Sequence, residues 1–167
     1  VKKSRREGYR ARSVYKLTEL DDTEHLFRPG MNVADLGSAP GSWTQIVRER
    51  LTDKNGELKG RIIAMDILPM EPIDGVTFLQ GDFREQEVAD KLNEILGGDK
   101  LDVVISDMAP NLSGIAMVDA NASLLLNELA LDFAVEHLKP EGVFVTKAFQ
   151  GSGYSQFIEN CKKHFVS

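Results

Sequence analysis

Five short and nearly continuous apolar segments constrain this chain more than anything else in it: Asn32–Leu36, Arg61–Asp66, Val76–Leu79, Leu101–Asp107 and Val143–Phe149. A strand that is apolar at successive rather than alternate positions is buried on both faces, which requires layers on either side of a parallel sheet. Helix-like stretches supply those layers: Arg12–Leu20, Trp43–Leu51, Glu87–Leu96, Ala120–Leu138 and Tyr154–Phe165. In the first of them Val14, Leu17 and Leu20 recur at helical spacing. Pro29-Gly30, Asp53–Gly56, Gly97-Gly98 and Pro140-Glu141-Gly142 punctuate the alternation. Crossovers between parallel strands are almost always right-handed. The expected fold is therefore α/β, a Rossmann-like, doubly wound, mostly parallel sheet. With 167 residues the chain fits a single domain, 1–167, in which residues 1–28 form a basic arm and a helix packed on the body.

The first β-α junction carries the chemistry. Val33-Ala34-Asp35-Leu36-Gly37-Ser38-Ala39-Pro40-Gly41-Ser42-Trp43 reads as strand, glycine turn and helix start. Glycine permits a positive φ and lets backbone approach a ligand, and a helix amino terminus offers unsatisfied N–H groups. The spacing is Gly-x-x-x-Gly, so the Gly-x-Gly-x-x-Gly dinucleotide fingerprint is not met. An acid at a strand tip beside a sparser glycine loop suits a nucleoside-like ligand without a pyrophosphate, such as S-adenosylmethionine.

Acids recur at the strand ends: Asp35, Asp66 and Asp107, with Asp82 following the third strand after one glycine. In a parallel sheet these ends share the edge where ligands bind. Asp66 is placed to accept from ribose hydroxyls and Asp82 from an adenine amino group. Lys147 stands inside an apolar strand, where lysine is a poor fit unless its ammonium reaches a partner. On a fifth strand beside the fourth it reaches Asp107; otherwise it snorkels from the sheet edge. Ser106-Asp107-Met108-Ala109-Pro110-Asn111 reads as a rigid lip above the ligand.

Charge is polarised. The chain carries −6 overall, yet residues 1–16 hold Lys2, Lys3, Arg5, Arg6, Arg10, Arg12 and Lys16 against Glu7 alone, a local +6 that leaves −12 on the rest. A basic arm on an acidic body is suited to phosphates, with Arg5, Arg6, Arg10 and Arg12 as RNA-contacting candidates; a solvated terminal extension is the alternative. Cys161 is the only cysteine, so an internal disulfide is excluded and a cytoplasmic location is expected. His25, His137 and His164 show no metal-ligand spacing, and no metal is expected. No run approaches the roughly 20 apolar residues of a membrane span, and no apolar signal core is seen. Val1 in place of methionine suggests part of a longer protein.

At this point the residues resemble a known family, the FtsJ/RrmJ-type ribosomal RNA 2′-O-methyltransferases, also called the RlmE family. The resemblance runs over essentially the whole chain, through Arg10-x-Arg12-Ser13-x-x-Lys16-Leu17, Asp35-Leu36-Gly37-x-Ala39-Pro40-Gly41-x-Trp43 and Gly60-Arg61-Ile62-Ile63-Ala64-x-Asp66-x-Leu68-Pro69-Met70. It continues in Leu79-Gln80-Gly81-Asp82-Phe83-Arg84, Ser106–Asn111 with Ser113-Gly114, and Lys147-x-Phe149-Gln150-Gly151. The first motif alone says only methyltransferase; the Leu-Pro-Met, Gln-Gly-Asp-Phe and Ser-Asp-Met-Ala-Pro-Asn strings are specific.

The resemblance implies S-adenosylmethionine as cofactor, held by Gly37, Gly41, Trp43, Asp66, Asp82 and Asp107, and a catalytic set containing Lys16, Asp107 and Lys147. It also implies a catalytic glutamate and further C-terminal strands, which are missing from this chain because it stops at Ser167. Ser42 stands where the family usually has glycine, and Asp53–Lys59 is a short surface insertion. The implied activity is 2′-O-methylation of a uridine ribose in 23S ribosomal RNA, with ribosomal RNA or the large ribosomal subunit as partner and a monomeric enzyme. Other readings stay open: a methyltransferase for a different RNA, a small molecule or a protein, and a non-catalytic RNA-binding module that keeps the fold. A nicotinamide dehydrogenase is disfavoured by the loop.

Overall fold

The computed structural model describes residues 8–11, 14–108, 116–147 and 154–165, the side chains of 116–121, 123 and 154 excepted. Among these residues five strands form one parallel sheet: β1 (Asn32–Leu36), β2 (Arg61–Asp66), β3 (Thr77–Gln80), β4 (Leu101–Ser106) and β5 (Leu138–Thr146). Their order is β3-β2-β1-β4-β5. The chain therefore builds outward from β1 to one side, then crosses back over it to lay down β4 and β5. The reversal sits between β1 and β4, and all five strands aim their carboxyl ends at one edge.

Among the described residues five helices flank the sheet: α1 (Val14–Glu24), α2 (Ser42–Leu51), α3 (Gln86–Leu96), α4 (Ala116–His137) and α5 (Tyr154–Lys162). One core layer joins Ala34, Leu36, Ile63, Met65 and Val104 of the strands to Val88, Leu92, Leu96, Ala130 and Phe133 of α3 and α4. The other joins Val33, Ile62, Val103 and Ile105 to Val14 and Leu17 of α1 and Trp43, Ile46, Val47 and Leu51 of α2. Successive strand residues thus enter opposite layers, which is why the strands read as unbroken apolar runs. Val14 and Leu17 are 0% and 1% exposed. Burying two such side chains contributes roughly 1.5–3 kcal/mol each, enough to hold α1, and Lys16 with it, against the body. Buried Asp21 on α1 completes this joint: it accepts from the Phe27 amide at 3.0 Å and lies 3.2 Å from the Arg50 guanidinium of α2.

The element boundaries depart from the sequence reading in two places that matter. α4 begins at Ala116 and runs straight into β5, with no intervening loop. Pro140-Glu141-Gly142 does not separate them; it lies in an irregularity of β5, between the pairings Leu101↔Leu138 and Val103↔Val143. β5 also ends earlier than expected, at Thr146, so Lys147 stands one residue beyond the strand rather than inside it.

Candidate active site

Two glycines shape the loop above the reversal. Gly37 leaves β1 at φ +69, and both its amide and that of Ser38 donate to the Met65 carbonyl of β2, at 2.8 and 3.1 Å. A Cβ on Gly37 would stand 2.4 Å from Met108 Cγ, so only glycine fits between the two strand ends. Gly41, at φ +111, leads into α2. Because the positive φ falls on Gly41, Ser42 sits in the first turn of the helix without strain, and the departure from the family pattern is harmless. Trp43 is 7% exposed and packs in the layer with Ile46 and Val47, seating the helix start on the sheet.

The four acids fall into different environments. Asp35 is not a strand-tip group but an interior residue of β1, 1% exposed. Thr44 of α2 donates to its Oδ2 at 2.6 Å, while Oδ1 meets no partner. Burial pushes its carboxyl up to about 7, Thr44 opposes the rise, and the nearby Asp107 and Asp66 charges add to it. Asp66 ends β2 and splints two segments: Oδ2 accepts from the Ala39 amide and Oδ1 from that of Leu68, each at 2.9 Å. A carboxylate accepts about four hydrogen bonds, so the group keeps capacity toward the pocket. Asp82 is clasped by Arg84, whose Nε donates at 2.9 and 3.0 Å and whose Nη2 donates at 2.5 Å, and this bonding holds its carboxyl below the usual range.

Asp107 follows β4, and Lys147 follows β5. The two strands pair in register up to Ser106↔Thr146, and the Lys147 amide donates to the Ser106 carbonyl at 3.1 Å. Neighbouring strand ends thus place Lys147 Nζ 3.7 Å from Asp107 Oδ1. Burial raises the Asp107 carboxyl, while Lys147 and then Lys16 of α1 pull it back. Lys16 is therefore close enough for its charge to act on the same carboxylate. Residues that follow β4 and β5 thus meet at one edge, within reach of the charge of Lys16 on α1.

Sequence reading missed Thr44, Ser38 and Ser106. The buried hydroxyls of Ser38 and Ser106, like Asp35 Oδ1, lack a partner among the described residues. A threonine in the first turn after the glycine loop was the available signal for the first of them. Arg10 of the basic arm donates to the Pro40, Glu71 and Pro72 carbonyls. Arg5, Arg6, Arg12, Pro110 and Asn111 lie outside the described residues.

A cleft of about 570 Å³ opens at the opposite, amino edge, lined by Glu24, Arg28, Asp102 and Lys139 among others. Of its acids, Asp102 is already committed, accepting from the Asn32 amide at 2.7 Å and from Lys139 Nζ at 3.0 Å. The topology sets the chemistry at the carboxyl edge instead. Among the described residues no helix is long and apolar enough to cross a membrane, and no group of three or more His, Cys, Asp or Glu side chains is placed to hold a metal.

Comparison with known proteins agrees with this fold. The family model of FtsJ-like methyltransferases matches residues 9–167. Ribosomal RNA large subunit methyltransferase E of Paracidovorax citrulli is 56% identical over 99% of this chain and 77% of that protein. The protein of the same name from an Acidovorax species is 58% identical over 99% of this chain and 76% of its own length. Among solved structures, a ribosomal RNA methyltransferase from Plasmodium falciparum superposes with a TM-score of 0.83 at 33% identity, covering 93% of this chain and 86% of that one.

Proposed function

Since the chain belongs to the FtsJ-like methyltransferase family, we propose that it methylates the ribose 2′-hydroxyl of a uridine in 23S ribosomal RNA, using S-adenosylmethionine. The observation that carries this reading is the Lys147–Asp107 pair, 3.7 Å apart and within the field of Lys16, beside the glycine loop.

The residues fit that cofactor. Gly37 and Gly41 let the loop turn tightly between the end of β1 and the start of α2, at the edge where ligands bind. Asp66 retains acceptor capacity for ribose hydroxyls. The unpartnered Ser38 hydroxyl and Asp35 Oδ1 mark a polar patch beneath the loop. Gly37, Gly41, Trp43, Asp66, Asp82 and Asp107 would hold the cofactor, which supplies an electrophilic methyl on a sulfonium. For Asp82 to accept from adenine, its second lone pairs must serve, since Arg84 takes the first.

The chain's own side chains then perform the rest. A 2′-hydroxyl is a weak nucleophile that must lose its proton as it attacks. Lys147, as a free amine, takes that proton; as an ammonium it orients the oxygen. Asp107 fixes Lys147 in line, and the Lys16 charge acts on the same carboxylate. Alignment of oxygen and methyl supplies much of the rate. The arm bearing Arg5, Arg6 and Arg12 grips phosphates, which makes RNA affinity fall with salt, and RNA is required because the target is a 2′-hydroxyl. The unit is a single domain, acting as a monomer in the cytoplasm on RNA of the large subunit.

The test is transfer of labelled methyl from S-adenosylmethionine to large ribosomal subunits. Label at one uridine 2′-oxygen is expected. Label on protein or on a base, or binding of RNA with no transfer, refutes the proposal and favours the other readings.

A further inference from the structure

Arg10 belongs by sequence to the basic arm, but its guanidinium is turned into the protein. Nη1 donates to the Pro40 carbonyl at 2.9 Å and to that of Glu71 at 2.8 Å, and Nη2 donates to that of Pro72 at 3.2 Å. Its own amide donates to Gln45 Oε1 at 2.9 Å, and Gln45 Nε2 donates back to the Gly8 carbonyl at 3.1 Å. The chain from Gly8 to Arg10 is thus stitched to the first turn of α2. Gly41 accommodates the arrangement: a Cβ there would stand 3.0 Å from Arg10 Nη1.

Pro40 belongs to the glycine loop. Glu71 and Pro72 belong to the segment that follows β2 and its terminal Asp66. One planar cation therefore bridges the glycine loop and the segment after β2, stretches thirty and sixty-odd residues away. Guanidinium suits this because its donors are fixed in a plane and point several ways at once, whereas an ammonium is a point charge on a flexible stem.

We propose that Arg10 is a positioning residue for the cofactor: its guanidinium sets the spacing between the glycine loop and the segment after β2, and does not serve as a phosphate contact for RNA. The inference rests on the reading that this edge holds S-adenosylmethionine. A phosphate would have to displace carbonyl bonds that already organise the pocket, so the task of gripping RNA falls to the rest of the arm.

The test compares the wild type with Arg10→Gln, Arg10→Lys and Gln45→Ala. Calorimetry with S-adenosylmethionine should show Kd raised roughly tenfold in Arg10→Gln, partly restored in Arg10→Lys, and raised less in Gln45→Ala. With ribosomal subunits as substrate, KM for the cofactor should rise while kcat at saturation holds. The slope of log affinity for ribosomal RNA against log salt should not change. An unchanged cofactor Kd with a salt slope reduced by about one in Arg10→Gln, recovered in Arg10→Lys, overturns the proposal, since that is how a phosphate contact behaves. Hydrogen exchange of the Gly37–Gln45 amides separates this inference from the function it rests on. Should the wild type bind no S-adenosylmethionine, the proposed function fails, yet faster exchange in Arg10→Gln still supports the clasp and unchanged exchange refutes it.

Discussion

Replacing Asp35 by asparagine tests the electrostatic account of the site most directly. The wild-type carboxyl is 1% exposed, bonded by Thr44 alone, and raised to about 7 from an ordinary value of 3.8. A raised folded-state value means that the native protein holds the proton more tightly than the unfolded chain does. Native stability from this group is therefore fully present below about pH 4 and is lost as pH climbs through about 7. At roughly 1.4 kcal/mol per unit, the whole span amounts to about 4 kcal/mol, of which about 2–3 kcal/mol falls between pH 5 and pH 8. Asparagine resembles the protonated acid in shape but cannot ionise. Its amide carbonyl can accept from Thr44, while its NH2 takes the place of the unpartnered Oδ1 and costs about 1–2 kcal/mol at every pH. Other groups titrate too, Asp107 with the same sign and Asp82 with the opposite one, so the difference between variant and wild type is the quantity to follow. Urea unfolding at pH 5, 6, 7 and 8 should show asparagine gaining on aspartate by about 2–3 kcal/mol across the series. A flat difference would mean that Asp35 ionises normally in the folded protein, and the picture of a dry, half-satisfied carboxyl would be wrong.

Lys147→Ala should lower methyl transfer by about 10²–10⁴-fold, as loss of a positioned proton acceptor does, with cofactor affinity within about twofold by calorimetry; a matched loss in both would place the lysine in binding instead. Gly37→Ala should cost about 1–2 kcal/mol from φ alone and more from the 2.4 Å approach to Met108 Cγ, so Met108→Ala added in the same chain should recover only the second part of the fall in Tm. At the end of β5, half-buried Thr146 Oγ1 donates to buried Asn127 Oδ1 at 3.3 Å. Thr146→Val should destabilise by about 1 kcal/mol, and the double variant Asn127→Leu/Thr146→Val should recover most of it in a double-mutant cycle.

The parallel sheet and its first β-α junction were legible because their signals are local: apolar runs, glycines at the turn, and a helix period beginning at once. The convergence of Asp107 and Lys147 was legible for a related reason, since adjacent parallel strands end side by side. Asp35 was misread as a tip because its burial is decided by α2 folding over it, and nothing in the strand announces Thr44. The end of β5 was misplaced by three residues, as the apolar run continues past Thr146 while the pairing with β4 stops there. Pro140 suggested a break, yet an irregularity in the ladder tolerates a residue with no N–H to offer. The Arg10 contacts were invisible for a simpler reason. Their acceptors are backbone carbonyls, which every residue carries.

The central place of β1 has a consequence during synthesis. It is the first strand to emerge, yet one of its sides waits for Arg61–Asp66 and the other for Leu101–Ser106. While the polypeptide elongates from Leu36 to Leu101, at about 5–20 residues per second, a greasy ribbon trails from the exit tunnel with an open flank available to any neighbour. Slow codons within that stretch should therefore favour clumping of unfinished copies, whereas a pause after Ser106 should be harmless.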